Sequence, residues 1–367
     1  MHSHELIPKK QHRLGKIELF PYSRPMLRRV LSSCALLIAC SEGGKPTAPP
    51  IVPANAVALT LLDIYSDEEV VFALLADPES KQIALPTEPC PATTVNLRLE
   101  GVVFPRPLSD DLFIAFADRL ELPIVQVLFE LSSEKPQALI ALGGATPTTL
   151  VATIGDGLAI HQQARVPLLA TPALIAAYSG SAPTSKATTS VLPIAQEPRD
   201  PHRARKAQDD NPIEMRVLGL AQAAGEVAVI LVDRQQRIAF PLFIGFCQAA
   251  SINAIFNHLI APESSTHILF HELLLSARTT FAYARITELR ADIFIGEIGL
   301  TRNQRKFVFD ARPSDAIALA LHTGAPIEVA PALLASIGEE AGPYLDLFAV
   351  GKRARSEFLS LGQSSPP

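Results

Sequence analysis

The chain has 367 residues, 48% hydrophobic and 19% charged, with a formal net charge of −5. That balance excludes intrinsic disorder and a globally basic surface for nucleic acid. The length suits about two domains, no apolar run reaches the ~18–20 residues of a membrane-spanning helix, and four cysteines are too few for a disulfide-stapled miniprotein.

Taken in chain order, Met26-Leu27-Arg28-Arg29 and the apolar stretch Val30–Ala39 end in Leu37-Ile38-Ala39-Cys40. A basic start, a short apolar run and small residues describe an export signal. The last four residues resemble a bacterial lipobox, whose cysteine thiol is acylated and becomes the new N-terminus. Residues 1–40 are therefore expected to be a signal with Met26 as the true start, and Cys40 a lipidation site. Several acyl chains there would hold a periplasm-facing lipoprotein on its membrane, since each buried methylene contributes about 0.8 kcal/mol. The alternative, an apolar helix in an N-terminal extension, leaves a cytoplasmic protein. Residues 41–54, with Gly43-Gly44 and several prolines, are expected to be a flexible tether.

Residues 55–178 and 212–350 are expected to be two folded units, joined by a Pro/Ser/Thr-rich linker at 179–211 and followed by a tail at 351–367. The two units echo one another. Leu75-Ala76-Asp77 then Ile83–Pro86 parallels Leu231-Val232-Asp233 then Ile238–Pro241, and Asp156 parallels Asp315. Thr171–Ala176 parallels Ala330–Ala335, and the offset drifts only from 155 to 159 while order is kept, as a duplication requires. Residues 55–180 carry 6 basic and 15 acidic side chains, and residues 212–350 carry 10 and 14. Both units are acidic, which disfavours a tight grip on a polyanion.

The second unit is the more legible. Val227–Val232 and Ile238–Ile244 predict a hairpin around Asp233–Arg237. Gln248–Leu259 and Thr266–Ser276 predict two helices, with Thr266 as an N-cap. Phe281–Ile286, Ile293–Ile298 and Lys306–Phe309 predict strands. Pro313–Leu321 predicts a helix ended by Gly324, Ile327–Val329 a closing strand, and Pro331 starts a short helix. This order is that of an α+β domain.

The densest polar constellation is Asp310-Ala311-Arg312-Pro313-Ser314-Asp315, at a strand-to-helix junction. Two carboxylates and a guanidinium there can bind a metal, a phosphate or a polarised water. A purely structural account is also complete: Ser314 caps the helix, Asp315 complements its dipole and Arg312 pairs with Asp310.

The run Asp310–Leu321, followed by Gly324-Ala325-Pro326-Ile327, resembles the signature of the bifunctional nuclease (BFN) family. Pro241-Leu242-Phe243-Ile244-Gly245 is similar to that family's Pro-x-x-Ile-Gly strand end, and Thr266-His267 to its Thr-His pair. Gln248 stands where a glutamate is expected, Ile268 where an aspartate is, and Ser264 where a proline is. Arg106-Pro107-Leu108-Ser109-Asp110-Asp111-Leu112 resembles a degenerate first copy, with Asp110 at the histidine position. The resemblance implies two tandem mixed α/β BFN-like domains and cleavage of DNA and RNA phosphodiester bonds. On it, Asp310 and Asp315 become candidate metal ligands or water base, Arg312 a phosphate contact, and His267 a general acid or ligand, with a divalent metal as the cofactor to consider. The competing reading is a non-catalytic lipoprotein that uses the same fold as a binding or assembly module.

His267 and His271, four apart on one helix, also have the spacing for a shared metal, with a surface role the blander account. Cys90 and Cys247 occupy equivalent places in the two units and are expected to be reduced and buried, because matching positions need not lie within bonding distance.

Overall fold

The computed structural model describes residues 53, 55–66, 70–104, 107–145, 147–180, 211–223, 226–258, 266–290 and 293–350, together with a short strand β1 (Glu18–Leu19). Met26, Cys40 and Arg106, with the linker beyond Gly180 and the tail, lie outside the described residues. Among those described, no helix is long and apolar enough to cross a membrane.

The first half runs β2 (Val57–Ala58), β3 (Thr60–Ser66), β4 (Val71–Ala76), β5 (Gln82–Thr87), α1 (Pro89–Leu99), α2 (Ser109–Arg119), β6 (Ile124–Ser132), β7 (Lys135–Leu142), β8 (Thr148–Ala152), α3 (Ile154–Ala164), β9 (Leu168–Ala170) and α4 (Pro172–Tyr178). The second half runs β10 (Ile213–Ala223), β11 (Glu226–Asp233), β12 (Ile238–Ile244), α5 (Phe246–Phe256), α6 (Thr266–Ser276), β13 (Thr280–Arg290), β14 (Ile293–Arg302), β15 (Arg305–Ala311), α7 (Pro313–Thr323), β16 (Ile327–Val329), α8 (Pro331–Ile337) and β17 (Glu339–Glu340). A final helix, α9, covers 342–350. The fold is α+β, as the sequence predicts. Strands β10 and β17 and helix α9 are additions to the set expected in the second half.

The halves also share their pairing. Strand β6 pairs antiparallel with β7 and parallel with β9, while β13 pairs antiparallel with β14 and parallel with β16. The difference lies at the first strand. In the second half β10 is continuous and pairs with both β11 and β16, giving one sheet in the order β15-β14-β13-β16-β10-β11-β12-β17. In the first half the same run breaks at Leu59 into β2 and β3, and the sheet divides into β2-β9-β6-β7-β8 and β3-β4-β5.

Strand β11 is apolar on both faces because both are covered. Val227, Val229 and Leu231 join the main core, while Ala228, Ile230 and Val232 form a second cluster with Ala341 and Tyr344 at the start of α9. Gly219 in β10 permits this close packing, since a Cβ there would sit 2.2 Å from the Phe348 ring. Helix α7 follows its sequence signals: Pro313 at its first turn and Gly324 in the left-handed conformation (φ 71°) at its end.

One hydrophobic core runs through both halves. Where they meet, Phe270 of α6 makes edge-on contacts with Phe113 and Phe116 of α2, at 5.5 and 5.3 Å between ring centroids. Such pairs contribute about 0.5–1.5 kcal/mol beyond the area they bury.

Cys90 and Cys247 form a disulfide with a Cα–Cα distance of 5.8 Å, which corrects the expectation of two reduced cysteines. Residues 157 apart thus meet across the two halves, and Phe113 and Phe270, also 157 apart, do the same.

Candidate functional site

The polar residues of the two halves also meet, and they do so reciprocally. Helices α2 and α6 begin at positions 109 and 266 (266 − 109 = 157), while α3 and α7 carry first-turn carboxylates at 156 and 315 (315 − 156 = 159). The Ser109 hydroxyl donates to Asp315 Oδ1 at 3.0 Å, and the Thr266 hydroxyl donates to Asp156 Oδ1 at 2.6 Å. Each half thus supplies a hydroxyl to the other half's buried carboxylate.

Around Asp315 the network is dense. Arg312 donates through Nε to Oδ2 at 2.7 Å and through Nη2 to Oδ1 at 3.1 Å, a bidentate pair, and Nη2 also donates to the Ser109 hydroxyl at 2.9 Å. His267 Nε2 lies 3.7 Å from Asp315 Oδ1, within ion-pair range but beyond a hydrogen bond. Neither ring nitrogen of His267 has a hydrogen-bond partner, although the residue is only 5% exposed. Burial alone would raise the Asp315 pKa. The Arg312 guanidinium, helped by His267, instead holds the carboxyl well below the usual carboxylate range.

At the equivalent place in the first half, Thr153 replaces the arginine. Its hydroxyl caps α3 by accepting from the Asp156 N–H at 3.1 Å and approaches Asp156 Oδ2 at 3.1 Å. With no cation bonded to it, burial prevails and pushes Asp156 up to about 6. Asp110, which stands where the second half has His267, contacts Arg98, and Arg98 also reaches Asp111 at 3.0 Å. Burial still lifts Asp110 to about 6 against the pull of Arg98.

Several local expectations are corrected. Arg312 pairs with Asp315, not with Asp310. Arg312 itself occupies the N-cap of α7 and no side chain caps that helix, so Ser314 is not the cap. Thr266 is already helical and spends its hydroxyl on Asp156.

Asp310 is separated from the other three candidates by the sheet. In β15 its neighbours Phe309 and Ala311 face the core, so Asp310 points to the opposite face by strand alternation. Its cross-strand partner there is Glu297, which accepts from Arg285 at 3.2 Å, and Arg285 also pairs with Glu328 at 2.7 Å. Glu328, Arg285, Glu297 and Asp310 form a charged row across β16, β13, β14 and β15. The arrangement therefore joins Asp315, Arg312 and His267 in one buried cluster and leaves Asp310 in another. Among the described residues, no three His, Cys, Asp or Glu side chains gather closely enough to hold a metal ion.

Residues 229–341 match the bifunctional nuclease domain. Over 127 residues the chain is 31% identical to Uncharacterized protein MT1877 of Mycobacterium tuberculosis (strain CDC 1551 / Oshkosh), a match covering 34% of this chain and 76% of that relative. Uncharacterized protein Rv1829 of Mycobacterium tuberculosis (strain ATCC 25618 / H37Rv) is similar to the same extent. The chain belongs to the bifunctional nuclease family.

In this member of the bifunctional nuclease family, the signature segment Asp310–Leu321 provides the last residues of β15 and nearly all of α7, and Arg312 and Asp315 bind across to the first half. Ser109, Thr266 and Asp156 complete the cluster but were not assigned to it from sequence. Their shared 157–159 offset is a signal that could have found them, because the same offset relates the other residues that meet across the halves. His271 leaves its helix-mate His267 and turns to His322 of α7, at 3.2 Å between ring nitrogens.

Proposed function

We propose that this family member is a membrane-tethered lipoprotein whose two halves are copies of one BFN domain, paired within a single chain and used as a non-catalytic binding or assembly module. Burial of the signature residues carries this reading. Asp315 is 1% exposed, and both its oxygens already accept from Arg312, one of them from Ser109 as well. A phosphodiesterase needs donors aimed at the reacting phosphate and an activated nucleophile, whereas Arg312, Asp315 and Ser109 are committed to one another. The acidic charge of both halves supports the same reading, since binding a polyanion calls for several phosphate-neutralising side chains. The Cys90–Cys247 disulfide supports an exported location, where such bonds persist, and so supports acylation at Cys40 over the cytoplasmic alternative.

A second reading, hydrolysis of DNA and RNA, is favoured by the unbroken signature from Asp310 to Leu321 and by the half-exposed position of Asp310. In it Asp310 and Asp315 would serve a divalent metal or a water, Arg312 the phosphate and His267 the leaving group, and the cluster would have to open.

The deciding experiment is a cleavage assay of purified residues 41–367, alone and as Asp315→Asn and Asp310→Asn. Single-stranded DNA, duplex DNA and RNA are tested with Mg²⁺, Mn²⁺ or EDTA. No cleavage by well-folded protein is expected. Metal-dependent cleavage that disappears in either variant would establish the nuclease reading. Mass spectrometry of membrane-extracted protein tests acylation of Cys40, and a monomeric mass in solution is expected of the internally paired chain.

A further inference from the structure

We propose that His271 and His322 form an open binding site for a divalent transition-metal ion of the zinc class. His271 Nδ1 and His322 Nε2 are 3.2 Å apart, with ring centroids 4.8 Å apart and planes at 77°. Two nitrogens that bind one tetrahedral ion at about 2.0–2.1 Å are separated by about 3.3 Å. The two imidazoles thus stand at the spacing of two ligands on one centre. They come from neighbouring helices, α6 and α7, so each is oriented by a rigid element.

Packing does not demand this pair. The first half places the same two helices together, and its equivalent positions carry Ile114 and Gln163. Two histidines facing each other are therefore a property of the second half, beyond what the shared architecture needs. Both residues are partly exposed, so an ion can reach them. No third protein ligand is gathered there among the described residues, so water would complete the coordination, which makes the site open in the manner of exchangeable rather than structural zinc. The pair is distinct from the buried Asp315 cluster, and the inference does not depend on whether the protein cleaves nucleic acid.

The test is zinc titration of the chelator-treated full chain by calorimetry, repeated with Co²⁺ to read its absorption. The variants are His322→Gln and the double variant His271→Ile/His322→Gln, which installs the pair that the first half already accommodates. Histidines 2, 4 and 12 can add weak binding, and the variants retain it. One zinc equivalent is expected in the wild type, weakened about tenfold or more in both variants, with a zinc-dependent rise in Tm that the variants lose. An isotherm unchanged in the folded double variant, or no zinc binding by the wild type, overturns the site.

Discussion

Asp156 and Asp315 occupy equivalent first turns, lie equally deep in the protein and accept a hydroxyl from the opposite half, yet their acidities move in opposite directions. The larger part of the difference traces to one position, with His267 adding to it at Asp315. Where the second half has Arg312 the first has Thr153, and a hydroxyl cannot compensate a buried charge as a bidentate guanidinium does. One architecture thus holds one carboxylate ionised and lets its counterpart take up a proton in mildly acidic solution. Burial raises both carboxyls, and the residue at the helix cap decides whether that rise is overcome.

The largest effect that would sharpen this contrast comes from removing each carboxylate in turn. Asp315→Ala strands the Arg312 charge and is expected to destabilise by about 3–5 kcal/mol. Asp156→Ala leaves only hydroxyls unmatched and is expected to cost about 1–3 kcal/mol. Urea unfolding of both variants measures the gap, and equal losses would break the comparison. Next in size is the Cys90–Cys247 disulfide. Cys90→Ser/Cys247→Ser is expected to lower stability by about 2–4 kcal/mol, with the difference vanishing when the wild type is reduced.

The pH dependence should show both directions at once. Folding raises Asp156 to about 6 from 3.8, so its contribution to stability is complete below the ordinary value and is lost as pH climbs through about 6. Asp110 acts in the same direction. Asp315 is shifted downward, so its contribution is present above the ordinary value and is lost as pH falls through its depressed one. Unfolding free energy is therefore expected to fall by on the order of 1–3 kcal/mol between pH 5 and pH 7.5. Asp156→Asn should flatten that slope, and a slope unchanged in the variant would rule out Asp156 as its source. The smallest effects belong to the exchanged hydroxyls: Ser109→Ala and Thr266→Val are each expected to cost about 0.5–1.5 kcal/mol by thermal unfolding.

Much of the second half was legible because its signals are local. The hairpin around Asp233–Arg237, the strands before Asp310 and the helix between Pro313 and Gly324 follow from alternation, turn residues and caps. Strand β10 was missed since Gly219 interrupts an otherwise β-like run, and α9 because its apolar positions face β11, a partner that sequence does not reveal. The motif Asp310–Asp315 was found, but its residues were assumed to act together. Alternation within β15 already sends Asp310 to the opposite face from Phe309 and Ala311, and only the assembled sheet identifies Glu297 as its neighbour there. The contacts of Ser109 with Asp315 and of Thr266 with Asp156 span 206 and 110 residues, and no local pattern announces them. The repeat offset told which residues are equivalent. It could not tell which of them meet in space, and so it misjudged Cys90 and Cys247.

That disulfide changes how the interface depends on protein concentration. Two separate chains meeting through the same surface would part on dilution, their association governed by mass action. Here the partners share one backbone and a covalent tie at their centre, so each half meets the other at a fixed effective concentration. The interface therefore stays closed however scarce the protein is, and Arg312 can stand at the helix start on one side while Thr153 stands at the matching helix start on the other.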